Sequence, residues 1–165
     1  MKDAKIADEQ ATAGEVDLSI LTEDLGFQVH ITRRAIWHRY RSERQPDVPR
    51  EPSGFYATLI LIGANPGISQ SEIADALFLD MPNLAIILGK LADYELVVRE
   101  RDPADRRRLR LRLTPAGEDK FQKAVEMSRT TTRRITSDLT DDEIRQLTAL
   151  LGKLQRSVKA GGRMN

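Results

Sequence analysis

Arg101-Asp102-Pro103-Ala104-Asp105-Arg106-Arg107-Arg108-Leu109-Arg110-Leu111-Arg112-Leu113-Thr114-Pro115-Ala116-Gly117 is the stretch on which the fold turns. From Arg108 to Leu113 arginine and leucine alternate strictly, and a period of two with one apolar and one cationic face describes a half-buried strand. Upstream, Leu96-Val97-Val98 leads into a second strand, and the turn-rich Arg101 to Arg107 joins the two, so the segment is a β-hairpin or wing. Downstream, Thr114 is suited to cap a helix that has Pro115 at its first position, where a missing N–H costs nothing. That helix runs towards Thr136.

Before the hairpin, Ser69-Gln70-Ser71-Glu72 has the form of a capping box, and it opens a helix with Ile73, Ala74 and Leu77 inward. After Phe78-Leu79, Asp80 is a second N-cap, Pro82 falls in the following first turn, and Leu84, Ile87, Leu88 and Leu91 share one face. Two short helices joined by a tight turn are a helix-turn-helix pattern. Phe55 to Gly63 is a short apolar helix, stopped by Gly63 and Asn65-Pro66-Gly67. The stretch Gln45 to Gly54 carries Pro46, Pro49 and Pro52 and is a loop.

At the ends, Ser19 to Arg41 reads as one helix with Leu21, Leu25, Val29 and Ile36 on one stripe and Phe27, Ile31 and Ala35 on the next. A helix apolar on two stripes requires two partners. Thr140-Asp141-Asp142-Glu143 is another capping box, opening an amphipathic helix with Ile144, Leu147, Leu150, Leu151, Leu154 and Val158. Residues 1–18 are polar and acidic with little periodicity and are expected to form a flexible tail. The expected architecture is mainly α with a small β-hairpin: a winged helix-turn-helix over 55–114, with 19–54 and 115–165 as flanking helical segments of the same domain.

Composition narrows the function classes. The 165 residues contain no cysteine and two histidines, so disulfides, cysteine-based zinc sites, thiol switches and cysteine nucleophiles are excluded, and a metal site is not expected. No paired-carboxylate setting, nucleophile elbow or phosphate loop is visible; the expectation is not an enzyme and no cofactor. No apolar run approaches the ~20 residues that span a bilayer, and the first residues lack the apolar core of a signal peptide, so a cytoplasmic protein is expected. Net charge is only +1, yet it is unevenly spread: −5 over 1–24, +4 over 25–50, −5 over 51–98, +4 over 99–112 and +3 over 113–165.

Gly67-Ile68-Ser69-Gln70-Ser71-Glu72-Ile73-Ala74, Leu88-Gly89-Lys90-Leu91, Leu96-Val97-Val98-Arg99, the Asp102-Pro103-Ala104-Asp105-Arg106-Arg107 wing and Leu113-Thr114-Pro115-Ala116-Gly117 together resemble the MarR family of bacterial transcriptional regulators. The close resemblance covers about residues 66–118. It implies a homodimer built from the N- and C-terminal helices, two winged lobes on a palindromic double-stranded DNA operator, and release by a small, often aromatic, effector. Met81-Pro82-Asn83-Leu84-Ala85 is similar to a branch linked to aromatic-acid catabolism.

Arginines on a projecting hairpin can enter a narrow minor groove, where the potential is most negative. Asp105 is suited to hold the Arg107 guanidinium, and the matching pair takes these roles in the family; Arg106, Arg108, Arg110 and Arg112 either meet phosphates or stay solvated. At the recognition helix Pro82, Asn83, Ala85 and Ile86 face the major groove. Asn83 either pairs with adenine or only supports the cap, and Ala85 and Ile86 suit thymine methyls, so an A/T-leaning half-site core is expected. Ser69, Gln70 and Ser71 suit phosphate contact or capping alone, and Lys90 touches phosphate or nothing. Gly89 marks a close backbone approach or tolerated drift, and Glu95 stands where relatives often have a glycine after the helix.

For the effector, His30, Arg33, Arg34, Trp37, Tyr40, Phe55 and Tyr56 combine aromatic rings with cations, as an aryl carboxylate or its thioester requires. A packed helix junction with a solvated basic face accounts for the same residues. The acidic 51–98 block favours a different function altogether, a winged-helix module that binds protein rather than DNA.

Overall fold

The computed structural model describes residues 19–42, 51–101 and 109–161. The expected acidic tail, the proline-rich stretch before Glu51 and the wing tip at 102–108 lie outside the described residues. The chain divides into two compact units, one within residues 1–48 and one within 49–165.

In the first unit the single helix expected from Ser19 is instead two, α1 (Ser19–Thr22) and α2 (Leu25–Ser42). The break has a local cause. Asp24 acts as an N-cap: its Oδ1 accepts from the Phe27 N–H at 2.5 Å and its carbonyl from the Gln28 N–H at 2.9 Å, while the Gln28 amide donates back to the Thr22 carbonyl at 2.7 Å. Apolar periodicity alone did not register a carboxylate placed to cap. Ile20, Leu21, Leu25, Val29, Ile31 and Trp37 all stay exposed.

The second unit holds α3 (Phe55–Ala64), α4 (Gln70–Leu77), α5 (Met81–Asp93), β1 (Val97–Arg101), β2 (Leu109–Leu113), α6 (Pro115–Ile135) and α7 (Asp141–Gly161). α3 runs through its core, burying Phe55, Thr58, Leu59 and Ile62 against Ile73 of α4, the Leu84/Ile87/Leu88/Leu91 face of α5, and Leu111 of β2. Each fully buried side chain of this kind contributes roughly 1.5–3 kcal/mol. Gly63 lets α3 approach α6, since a Cβ there would lie 2.6 Å from Phe121 and 2.9 Å from Leu113.

The strands pair antiparallel, with Val97 opposite Leu113 and Glu100 opposite Arg110. The other edge of β2 is also used: Gly67 donates to the Leu111 carbonyl at 2.8 Å and Leu111 to the Ile68 carbonyl at 3.0 Å. The wing base is therefore three segments wide, which alternation within the hairpin had no means of signalling.

Between α5 and β1, Glu95 has φ 55°, a left-handed conformation costing a side-chain-bearing residue about 1–2 kcal/mol. It persists because the Glu95 carbonyl accepts from the Thr114 hydroxyl at 2.6 Å. Replacing Glu95 by glycine is expected to raise stability by about 1 kcal/mol, read as a higher urea midpoint at unchanged slope. A Cβ at Gly89 would meet nothing within 4 Å, so no close approach within the chain accounts for that glycine.

Candidate nucleic-acid interface

Ser69 caps α4, and the reciprocal box is complete. Its Oγ accepts from the Glu72 N–H at 3.3 Å, and Glu72 Oε2 accepts from the Ser69 N–H at 2.8 Å and hydroxyl at 2.6 Å. The Ser69 hydroxyl is thus engaged in capping, with Ser71 Oγ 3.1 Å away. Ser71 is exposed and Gln70 half-buried at the same end.

α5 presents the other edge. Its inward face is fully buried, whereas Met81, Pro82, Asn83, Ala85 and Ile86 of its first turns are exposed, Ile86 at 61%. Asp80 accepts from the Asn83 backbone N–H on Oδ1 at 2.8 Å and from the Asn83 side-chain amide on Oδ2 at 2.8 Å. Asn83 therefore supports the cap, and its amide oxygen is the group this arrangement leaves to accept from a base. Lys90 is half-buried, its ammonium 4.7 Å from the centre of the Tyr94 ring.

On the wing, Asp105, Arg106, Arg107 and Arg108 lie outside the described residues. Along β2, Arg110 donates to the Gly67 carbonyl at 3.1 Å and lies 3.7 Å from Glu72, and Arg112 pairs with Glu100 at 3.0 Å. Both are held by internal partners, and that of Arg110 could not be read from strand alternation because Glu72 is remote in sequence. Arg99 and Arg101 of β1 are exposed.

The aromatic set is divided between the units. His30, Arg33, Arg34 and Trp37 are exposed on α2, while the Tyr40 side chain lies outside the described residues. In the second unit Phe55 is 1% exposed in the core, with edge-to-face contacts to Tyr56 at 5.2 Å and Tyr94 at 6.1 Å. Tyr56 is half-buried, with the Lys120 ammonium 5.8 Å from its ring centre. The sequence around Tyr94 carries no signal of this contact, because its neighbours there are acidic and apolar. Among the described residues no group of acidic, histidine or cysteine side chains could hold a metal ion, and no helix is long and apolar enough to cross a membrane.

Two short capped helices with an exposed turn on the second, followed by a hairpin whose second strand is bonded on both of its edges, define a winged helix-turn-helix. Residues 56–108 match the MarR family model. The chain is 35% identical over 107 residues to the HTH-type transcriptional regulator BilQ of Clostridium symbiosum, covering 65% of this chain and 74% of that protein. It is 33% identical over 103 residues to a putative transcriptional regulatory protein for the hcr operon of Thauera aromatica, covering 62% of each chain. The matched stretch thus spans less than two thirds of the Thauera protein. The transcriptional repressor CouR, solved bound to a 23-mer DNA duplex, superposes with a TM-score of 0.70 at 29% identity over 86% of this chain and 99% of its own. The chain belongs to the MarR family, and these relatives are transcriptional regulators.

Proposed function

We propose that the protein is a ligand-responsive repressor that binds a palindromic operator as a homodimer and is released by a small aromatic acid or its thioester. The observation that carries the DNA reading is the exposed first two turns of α5, with Pro82, Asn83, Ala85 and Ile86 outward on a helix whose other face is locked in the core. The CouR complex supports DNA as the partner. Ala85 and Ile86 meet thymine methyls and the Asn83 amide oxygen accepts from adenine, so the half-site core leans to A/T. Arg107, held by Asp105, enters the minor groove, and Ser71, Gln70, Arg106 and Arg108 meet the backbone.

The dimer reading rests on apolar surface that stays exposed among the described residues: Ile20, Leu25 and Val29 of the first unit, and the stripe of α7, none of whose side chains is fully buried. For the effector, His30, Arg33, Arg34, Trp37 and Tyr40 of α2 supply aromatic and cationic chemistry suited to an aryl carboxylate. A thermal-shift screen of aromatic acids and their thioesters tests this part, with a raised melting temperature expected for the effector class.

The DNA part is tested by mobility shift on the DNA upstream of the protein's own gene across a salt series. Binding is expected to weaken steeply, log affinity falling with log salt at about −0.9 per phosphate neutralised. No shift at low salt with dimeric protein overturns the repressor and favours the protein-binding winged helix, which the −5 charge of residues 51–98 also suits.

A further inference from the structure

We infer that Arg110 is a positioning residue, not a phosphate contact: it ties the wing to the N-terminal end of α4, so that the two are presented as one surface. The inference rests on the DNA reading above for its functional consequence and on the following geometry for the tie itself. Arg110 Nη1 donates to the Gly67 carbonyl at 3.1 Å, across 43 residues of sequence, and lies 3.7 Å from Glu72 Oε2. Gly67, at φ 88°, turns the chain there while its own N–H bonds to the Leu111 carbonyl at 2.8 Å. The same Glu72 oxygen closes the capping box with Ser69. One guanidinium thus joins β2, the turn before α4, and the cap of α4.

The register explains why arginine stands at this position. Val98, Glu100, Arg110 and Arg112 share one face of the hairpin, and Arg112 is already matched to Glu100 on it. Arg110 is flanked by a carbonyl and a carboxylate, and its always-charged guanidinium has N–H donors for both. Its side chain is 29% exposed, the least exposed partner in any of the ion pairs described here. Wing angle and α4 presentation are then coupled through a contact that touches no DNA.

The sign of one substitution separates the two roles. In Glu72→Gln the capping box survives, because glutamine serves at that position, while the negative charge beside Arg110 is removed. If Arg110 served phosphate, E72Q would free it and remove a repulsive carboxylate, and affinity would rise. As a tie, E72Q and Arg110→Gln each weaken binding to the upstream duplex about tenfold, and the double variant is no weaker than the worse single. The salt slope of Arg110→Gln stays at the wild-type value, whereas loss of one phosphate contact per subunit would lower it by about 2. In the free protein, hydrogen exchange at the Gly67 and Leu111 amides is expected to quicken in both variants.

Tighter binding by E72Q, or a reduced salt slope in Arg110→Gln, overturns the positioning role. Unchanged exchange at Gly67 and Leu111 overturns the tie even if the wild-type protein shows no DNA binding, the outcome that instead defeats the repressor reading. Thermal melts of both variants establish that the compared proteins are folded.

Discussion

Gly117→Ala is expected to destabilise the protein by about 3 kcal/mol, at the upper end of the usual cost of overpacking. A Cβ at this position would be driven into the Leu96 carbonyl oxygen, with the Leu96 carbonyl carbon at 2.9 Å and Leu113 Cβ at 3.2 Å. The obstacle is backbone, and it is fixed from several sides. The Leu96 carbonyl accepts from the Thr114 N–H at 3.1 Å, the Thr114 hydroxyl accepts from the Gly117 N–H at 2.9 Å, and the same hydroxyl donates to Glu95. Relief therefore means opening the junction where β1, β2 and α6 meet. Gly89→Ala is the internal control, since its Cβ enters open space and it gains helix propensity of about 1 kcal/mol. Urea denaturation of the two variants should move in opposite directions. Equal midpoints for Gly117→Ala and wild type would show that the strand-helix junction yields more easily than its hydrogen bonds indicate.

That junction also shows how far residue patterns reach. Thr114-Pro115 declared a capped helix because the hydroxyl, the fixed proline φ and the following turn are all local, and the Gly117 N–H does bond to Thr114. The inward face of α5 was legible for a similar reason, since Leu84, Ile87, Leu88 and Leu91 follow the helical period with no competing pattern. The break at Asp24 was local too, yet a continuous apolar stripe outweighed a single capping carboxylate. What escaped altogether was interaction over distance. Nothing near Arg110 in the chain points to Gly67 or Glu72, and nothing near Ile68 announces a pairing with Leu111. Asn83 falls between, because its type suits both adenine and a cap and only the folded chain places its amide on Asp80. The alternating arginines looked alike by period, and it is their partners that distinguish Arg110 and Arg112 from residues available to a ligand.

Leu150→Lys combined with Leu154→Lys is expected to convert the proposed dimer to monomers while leaving each chain's helix content intact. α7 begins at a complete capping box, in which the Thr140 N–H and hydroxyl hold the Glu143 carboxyl below its usual range, so its first turn is satisfied locally. Along it Leu147, Leu150, Leu151, Leu154 and Val158 form one stripe, with Leu150 56% and Leu154 37% exposed. A surface helix normally buries such a stripe, and among the described residues this one buries none of its side chains fully. Complete burial of a leucine is worth roughly 1.5–3 kcal/mol, and about half of that remains to be gained at these two positions in each of two copies. The loss is then roughly 3–6 kcal/mol, which weakens association about 100-fold to 10,000-fold. Analytical ultracentrifugation at micromolar concentration should find monomer, with the far-UV circular dichroism of the wild type. The proposed palindromic operator should then be bound far more weakly, because its half-sites would no longer be engaged through one linked pair. A double variant that remains dimeric at that concentration would place the subunit contact elsewhere, with the exposed Ile20, Leu25 and Val29 of the first unit the next surface to change.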